Sequence, residues 1–415
     1  MSIDIKLTPA QKSLQHEARA FARDVLTGVV PATRDIAGAE ARAMATKPFY
    51  EKLIAAGFMR KSIPIEVGGE CTGMIDAAVI CEELYSVDAS VTCTLIGSVL
   101  GLYPLLLAGS PGQIAELLPP FLAKTGAPLA SFCSSEPGGS ANAGSPAPGE
   151  GVRTRAVLDG AHWVINGRKQ WIPTPLGWDG KGADLLTVVC RTDPDAAPEH
   201  AMSVIAVARP TPGLVFEHAH DGMGHRAHLS TRFRLDNVRV PVGNVLGGIG
   251  SGAKVAEASF TATAALVGIL GVALMRAAFD FALNFAKTER RGGIQPIIEH
   301  QAVGYALADA KTTIEAARFL SWAACKALDD QSPGAAELAY QAKIFGSEAA
   351  VKVITDLMRV VGIDSYDHEL PLAGLLQDAI VLPLFDGGNM GVRRRQLHTL
   401  MKAEGYDPLT AWGGV

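Results

Sequence analysis

Two stretches of helical periodicity enclose one block of short β-rich runs, and that order limits the folds open to this chain more than any other feature. Up to about residue 126, apolar residues recur at three- and four-residue spacing, as in "PFYEKLIAAGF", "MIDAAVICEELYSV" and "QIAELLPPFLA". The first helix has a readable start. Thr8 serves as N-cap, Pro9 takes the first helical position and Gln11 can close a capping box, after which Leu14, Ala18, Phe21 and Val25 share a face. From about residue 127 the runs shorten to "RTRAVL", "HWVI", "DLLTVVCR", "MSVIAVAR", "LVFEHA" and "TRFRL". Asp159-Gly160 and Asn166-Gly167 are the dipeptides that favour tight hairpin turns, so a compact antiparallel β domain is expected to about residue 245. Ala-rich helical segments then cover 253–288, 298–329, 334–361 and 388–403, with Gly362 as a C-cap. The expected fold is α+β and multidomain: an N-terminal helical domain (1–126), a central antiparallel β domain (127–248) and a C-terminal helical bundle (249–415).

Composition narrows the function classes. Hydrophobic residues make up 48% and charged residues 19% of the 415, which is globular rather than disordered. A net charge of −5 gives no reason to expect nucleic acid as a partner. Cys71, Cys81, Cys93, Cys133, Cys190 and Cys325 are scattered without a C-x-x-C pair, which suits a reducing cytoplasm and argues against a metal site. No basic-then-apolar leader opens the chain. The most apolar stretch, 260–275, falls short of the roughly 18 residues of a membrane span, so a buried helix and no membrane association are expected. No repeat of 20–50 residues occurs, and no G-x-G-x-x-G follows a strand, which removes a dinucleotide fold.

The stretch most suggestive of chemistry is "PLFDGGNMGVRRRQ" (383–396). An aliphatic–aromatic run precedes Asp386, two glycines follow it, and Arg393 opens an arginine triplet. Asp-Gly-Gly makes a good turn with no further role, and the triplet can be a solvated helix face. The alternative is a general base: a carboxylate partly desolvated by its apolar neighbours and held ionised by Arg393, two helical turns on.

Five segments in order resemble the acyl-CoA dehydrogenase superfamily of FAD enzymes: "SFCSSEPGGSAN" (131–142), "WVINGRKQWI" (163–172), "LDNVRVPVGNVLG" (235–247), the helix 289–318 and the stretch around Asp386. Phe385-Asp386-Gly387-Gly388 stands where acyl-CoA dehydrogenases carry Tyr-Glu-Gly-Thr, and this, with "GWDGKGADLLTVVCR", "RGG…IIEHQ" and "MRVVG…SY", is similar to the nitroalkane oxidase branch. The resemblance implies that Asp386 is the catalytic base, with Gly387 and Gly388 beside the cofactor. Arg393 would hold the base, and Thr263 aligns with a serine that hydrogen-bonds it. A helix Thr bonded to its own backbone is the plain alternative for Thr263. Phe132, Cys133, Ser134 and Ser135 match the stretch that meets the pyrimidine edge of FAD. Ser140 and Asn142 match its phosphate side, and Trp171 either packs on the isoalloxazine or is a core aromatic. Arg291, His300 and Gln301 match positions that reach FAD partly across a subunit interface, and Arg359 replaces a family Gln near the adenosine.

Two departures stand out. Pro173 replaces the family's N5 hydrogen-bond donor, which leaves Thr174 as its substitute or the contact missing. Ser140-Ala141-Asn142 replaces Ser-Asp, which weakens the case for a CoA thioester. The implied activity is oxidation of small nitroalkanes to aldehyde or ketone with O2, releasing nitrite and H2O2, by a homotetramer. An acyl-CoA dehydrogenase is the alternative, ahead of a flavin-dependent monooxygenase of the same fold or a scaffold without flavin.

Overall fold

The Thr8 hydroxyl accepts the Gln11 N–H at 3.2 Å and the Gln11 side chain accepts the Thr8 N–H at 3.0 Å, so α1 (Pro9–Val25) opens on the capping box its sequence announces. The computed structural model describes residues 6–145 and 149–410; the leaderless start read from the sequence lies partly outside them, at residues 1–5. After α1 come α2 (Val29–Thr33), α3 (Ala39–Ala45), α4 (Lys47–Ala55), α5 (Met74–Tyr85), α6 (Ala89–Ala108), α7 (Pro111–Leu117) and α8 (Pro119–Leu122). The strands are β1 (Ala130–Cys133), β2 (Arg155–Asp159), β3 (His162–Pro173), β4 (Leu185–Arg191), β5 (Met202–Ala208), β6 (Leu214–His220), β7 (Ser230–Pro241) and β8 (Val245–Leu246). Helices then return as α9 (Gly252–Thr288), α10 (Gln301–Asp329), α11 (Ala335–Val361), α12 (Pro371–Ile380) and α13 (Arg394–Met401).

The strands form one sheet in the order β6-β7-β3-β2-β4-β5-β8, with β1 added against β4. Most of its pairings are antiparallel, as expected, but β1 runs parallel to β4, and β2 meets β4 in parallel at Arg155 and Arg191. The sheet is therefore mixed. Asp159-Gly160 does turn the β2–β3 hairpin. Asn166-Gly167 does not turn: it lies inside β3, where the register against β7 shifts between Ile165 and Gly167. Gly167 there has φ +159 and abuts Thr154, so the glycine serves a bulge and a close approach instead of a hairpin.

Two apolar cores share the N-terminal helices. One joins Ala18, Tyr50, Leu84 and Leu102 to sheet residues such as Leu186, Ile205 and Phe233. The other joins Ala78, Cys81 and Cys93 to α9, α10 and α11. Buried ion pairs lock the second junction, since Glu83 takes Arg19 of α1 and Arg276 of α9, each at 2.8 Å, while Glu82 takes Arg318 of α10 at 2.9 Å. Small residues let α9 and α11 approach backbone to backbone: a Cβ on Gly271 would stand 2.3 Å from the Gly346 carbonyl, so any larger residue there forces the helices apart.

Helix lengths correct one expectation. Ala89–Ala108 and Gly252–Thr288 are both long and apolar enough to cross a membrane, each with mean hydropathy 1.9. Most of each apolar window is buried inside the protein, however, at 67% and 78%, as in core helices. All six cysteines are free, and five are buried.

Candidate active site

Between α12 and α13 the chain makes the turn that carries Asp386. Asp386 has φ +52 and Gly387 φ +70, a left-handed pair that only a glycine tolerates freely at its second position. Gly387 is also required for space, because a Cβ there would lie 3.1 Å from Arg393 Nε. A five-residue π-helical turn, Asn389–Arg393, follows and leads into α13. The expected helix over 388–403 is thus a π turn joined to a shorter α-helix. Asp386 and Arg393 meet through the folded turn rather than along a regular helix face.

That folding buries the pair. The Asp386 side chain is 3% exposed and Arg393 is 0% exposed, so the solvated-face reading holds for exposed Arg394 and Arg395 but not for Arg393. Thr263 of α9 donates to Asp386 Oδ1 at 2.9 Å, while its contacts to its own helix carbonyls are longer, 3.3 and 3.4 Å. Arg393 Nη2 reaches Asp386 Oδ2 at 3.1 Å. The same guanidinium bonds the Asp386 peptide carbonyl through Nε at 3.2 Å and Nη2 at 2.8 Å, and the Phe260 carbonyl at 2.9 Å. Its fork therefore clasps the backbone of the turn, and one nitrogen alone touches the carboxylate. The two-turn spacing expected from sequence is corrected accordingly.

Thr263 also lines a narrow, mostly apolar cleft between α5, α6 and α9, with Ala77, Cys81, Leu95, Ile96, Val99 and Leu266 among its walls. The Asp386 carboxylate and this apolar cleft therefore share one side chain, Thr263.

β1 brings the 131–142 segment alongside. Phe132 packs on Phe260 with ring centres 5.0 Å apart, one residue's backbone away from Arg393. Phe132 and Cys133 are buried, and Ser134 and Ser135 are half-buried at the strand end. The Glu-Pro motif and the Asn-Gly-x-Lys motif prove to be one device. Lys169 Nζ, wholly buried, donates to Glu136 at 2.9 Å, to the Ser134 carbonyl at 3.1 Å and to the Val189 carbonyl at 2.8 Å. Burial alone would raise Glu136, but Lys169, Thr154 and Arg153 together hold its carboxyl below the ordinary range. Beyond it, Ser140 is half-buried and Asn142 exposed, and Ala141 abuts the π turn, 3.1 Å from where a Gly391 Cβ would stand.

Trp171 is no core aromatic. It sits at a second bulge of β3 with φ +60, is 57% exposed and stacks on His220 at 3.8 Å. Pro173 seats on Gly97 of α6, and its carbonyl accepts the Ser131 hydroxyl at 2.6 Å. Next to it, the Thr174 N–H is committed to Leu229 at 2.9 Å, but its hydroxyl is buried and has no partner among the described residues.

This architecture and these motifs match known proteins along the whole chain. The family models for the N-terminal, middle and C-terminal domains of acyl-CoA dehydrogenase match residues 8–125, 131–238 and 250–401. A nitroalkane oxidase of Podospora anserina is 43% identical over 100% of this chain and 99% of its own length. One of Fusarium oxysporum is 37% identical over 99% and 98%. The chain belongs to the acyl-CoA dehydrogenase family, in its nitroalkane oxidase branch. An active-site mutant of nitroalkane oxidase crystallised with 1-nitrohexane superposes with a TM-score of 0.97 at 36% identity, covering all of both chains.

Arg291, His300, Gln301 and Arg359 are all exposed. Arg291 bonds Asp364 at 2.8 Å and also the Val361 carbonyl, while Arg359 bonds Asp356 at 3.0 Å. Arg359 stands on α11 sixteen residues beyond Lys343, which bonds the catalytic turn, a distance of about 24 Å along the helix.

Other contributors carry no motif. Lys343 and Asn389 are buried under the turn. Asp378 of α12 accepts the His225 N–H at 2.6 Å, and the His225 ring contacts Tyr85 and Phe385, the neighbour of Asp386. Burial lowers His225 to about 4 and raises Asp378 to about 6, so at neutral pH the His225 ring is uncharged.

Proposed function

We propose that the protein is an FAD-dependent oxidase of small neutral nitroalkanes, with Asp386 removing the α-carbon proton. The observation that carries this reading is the buried Asp386 carboxylate, fixed by Thr263 and Arg393, with Thr263 set among apolar side chains of α5, α6 and α9. The nitro group makes the α-carbon unusually acidic by taking up the charge as a nitronate, so a carboxylate one methylene shorter than glutamate suffices. The apolar side chains that surround Thr263 favour an alkyl substituent over a polar one, and Arg393 keeps the turn from rotating the carboxylate away.

The donors present fit a flavin. The half-buried Ser134 and Ser135 at the end of β1, and the partnerless buried hydroxyl of Thr174, offer hydrogen bonds to a ring edge rich in N and O acceptors. The exposed Trp171 face is free to pack on the ring. Bound FAD supplies the two-electron acceptor that O2 reoxidises. The balance is then nitroalkane, O2 and water giving aldehyde or ketone, nitrous acid and H2O2. The free thiols favour a reducing compartment such as the cytoplasm.

Mixed anaerobically, the yellow enzyme should bleach with nitroethane and stay yellow with acyl-CoA thioesters; the opposite pattern would make it an acyl-CoA dehydrogenase. In the same assay Thr174→Ala should bleach about tenfold more slowly, the cost of one well-placed hydrogen bond. An unchanged rate would mean that Pro173 marks a lost contact.

We infer a homotetramer as well. Arg291 bonds Asp364, which stands next to exposed Ile363 and near Tyr366, and Ile294 follows Arg291 by three residues; these three side chains, 94% (Ile294), 81% (Ile363) and 79% (Tyr366) accessible, suit contact with a second copy. Light scattering should return four chains. A monomer retaining stoichiometric FAD would contradict the inference.

A further inference from the structure

Lys343 stands on α11 with its side chain wholly buried, and among the described residues no carboxylate lies within salt-bridge distance of it. Its ammonium donates to the Leu382 carbonyl at 3.1 Å and to Asn389 Oδ1 at 2.9 Å. These two residues are the ends of the turn that carries Asp386, and the Asn389 N–H closes that turn on the Pro383 carbonyl at 2.9 Å. Asn389 is itself held from α11. Its amide donates to Ser347 Oγ and Glu348 Oε1, both at 3.0 Å, and Glu348 in turn pairs with Arg394 of α13 at 2.6 Å. Lys343, Ser347 and Glu348 fall within a turn and a half of one helix, so α11 presents a polar ledge beneath the turn.

A buried ammonium is costly, and a neutral donor would serve two hydrogen bonds at less expense in solvation. The charge has a use only if an anion nearby needs it. That anion is Asp386, whose oxygens are otherwise met by one hydroxyl and one guanidinium nitrogen. The groups acting on Lys343 are Asp386 and Arg393 of the turn and Glu348 of its own helix, half-exposed at the rim. Burial pulls the Lys343 ammonium down to about 8, against the pull of Asp386 and Glu348. With Asp386 ionised, the turn holds one anion between two cations.

Resting on the reading of Asp386 as the base, we propose that Lys343 is a positioning residue of the catalytic turn: its ammonium ties the two ends together and sets a second positive charge beside the Asp386 carboxylate. Lys343→Met removes tie and charge, whereas Lys343→Gln keeps a donor and removes the charge. Both are tested as flavin-loaded enzyme on neutral nitroethane and on preformed ethyl nitronate. Lys343→Gln keeps a tie and should lose about tenfold or more on neutral nitroethane, the scale of one charge-assisted contact, while nitronate oxidation stays close to unchanged. Lys343→Met loses the tie as well and should lower both activities, as a loosened turn requires. If Lys343→Met does not fold, the substrate split in Lys343→Gln decides. Unchanged nitroethane oxidation in Lys343→Gln, or equal losses on the two substrates in that variant, would overturn the proposal and leave Lys343 a packing residue. Wild-type enzyme that oxidised the nitronate but not nitroethane would instead sink the base assignment itself.

Discussion

Asp386→Asn is expected to lose at least two orders of magnitude in activity toward neutral nitroethane while retaining bound FAD. Positioned general bases are typically worth about 10²–10⁴-fold, and nothing else in the site can take the proton. Thr263 and Arg393 already spend their donors on the same carboxylate, and neither is a base at neutral pH. The substitution is nearly isosteric and the turn is fixed through backbone atoms, since Arg393 holds the Asp386 carbonyl by two of its contacts. The fold around the site should therefore survive.

Arg393 is expected to give the largest loss of stability. Its guanidinium is wholly buried, satisfies the carbonyls of Asp386 and Phe260, touches the Asp386 carboxylate and Gln396, and lies 5.3 Å over the Tyr340 ring. Arg393→Met takes the only cation among the described residues bonded to a buried carboxylate and strips the guanidinium from two carbonyls, a defect on the scale of about 3–5 kcal/mol. Thermal denaturation of the flavin-loaded protein should register it as a large drop in midpoint. Arg393→Lys should fall between, because a single ammonium cannot reach every acceptor of a planar fork. Both variants should impair nitroethane and nitronate oxidation together, since the turn itself loosens. A stable Arg393→Met protein with selective loss on neutral nitroethane would show that Arg393 serves the carboxylate charge alone.

Much of this was legible because local signals agreed with the fold. The Thr8–Gln11 capping box, the Asp159-Gly160 hairpin and Gly362 behave as their residue types require; the Gly362 N–H caps Met358 with φ +81. Asp386, Thr263 and Arg393 were found through family motifs, and the structure brings all three together. Long-range pairing was not legible. The parallel contact of β1 with β4 joins residues more than fifty positions apart, and no local pattern encodes it. Asn166-Gly167 misled because a bulge and a hairpin ask the same backbone freedom of glycine. The helix Pro371–Ile380 and the π turn after Asp386 escaped because apolar residues run through them with little polar interruption. Lys343 escaped for the opposite reason: a lysine in an Ala-rich helix reads as a solvated position, and only the fold shows it turned inward.

The most direct test of Asp386 as the base compares anaerobic flavin-reduction rates of wild type and Asp386→Asn on neutral nitroethane and on preformed ethyl nitronate. The expected result is a loss of about 10²-fold or more on nitroethane alone, with nitronate reduction preserved because that substrate has already given up its proton. Equal losses on both substrates would make Asp386 a structural or binding group, and the carbon base would have to be sought elsewhere.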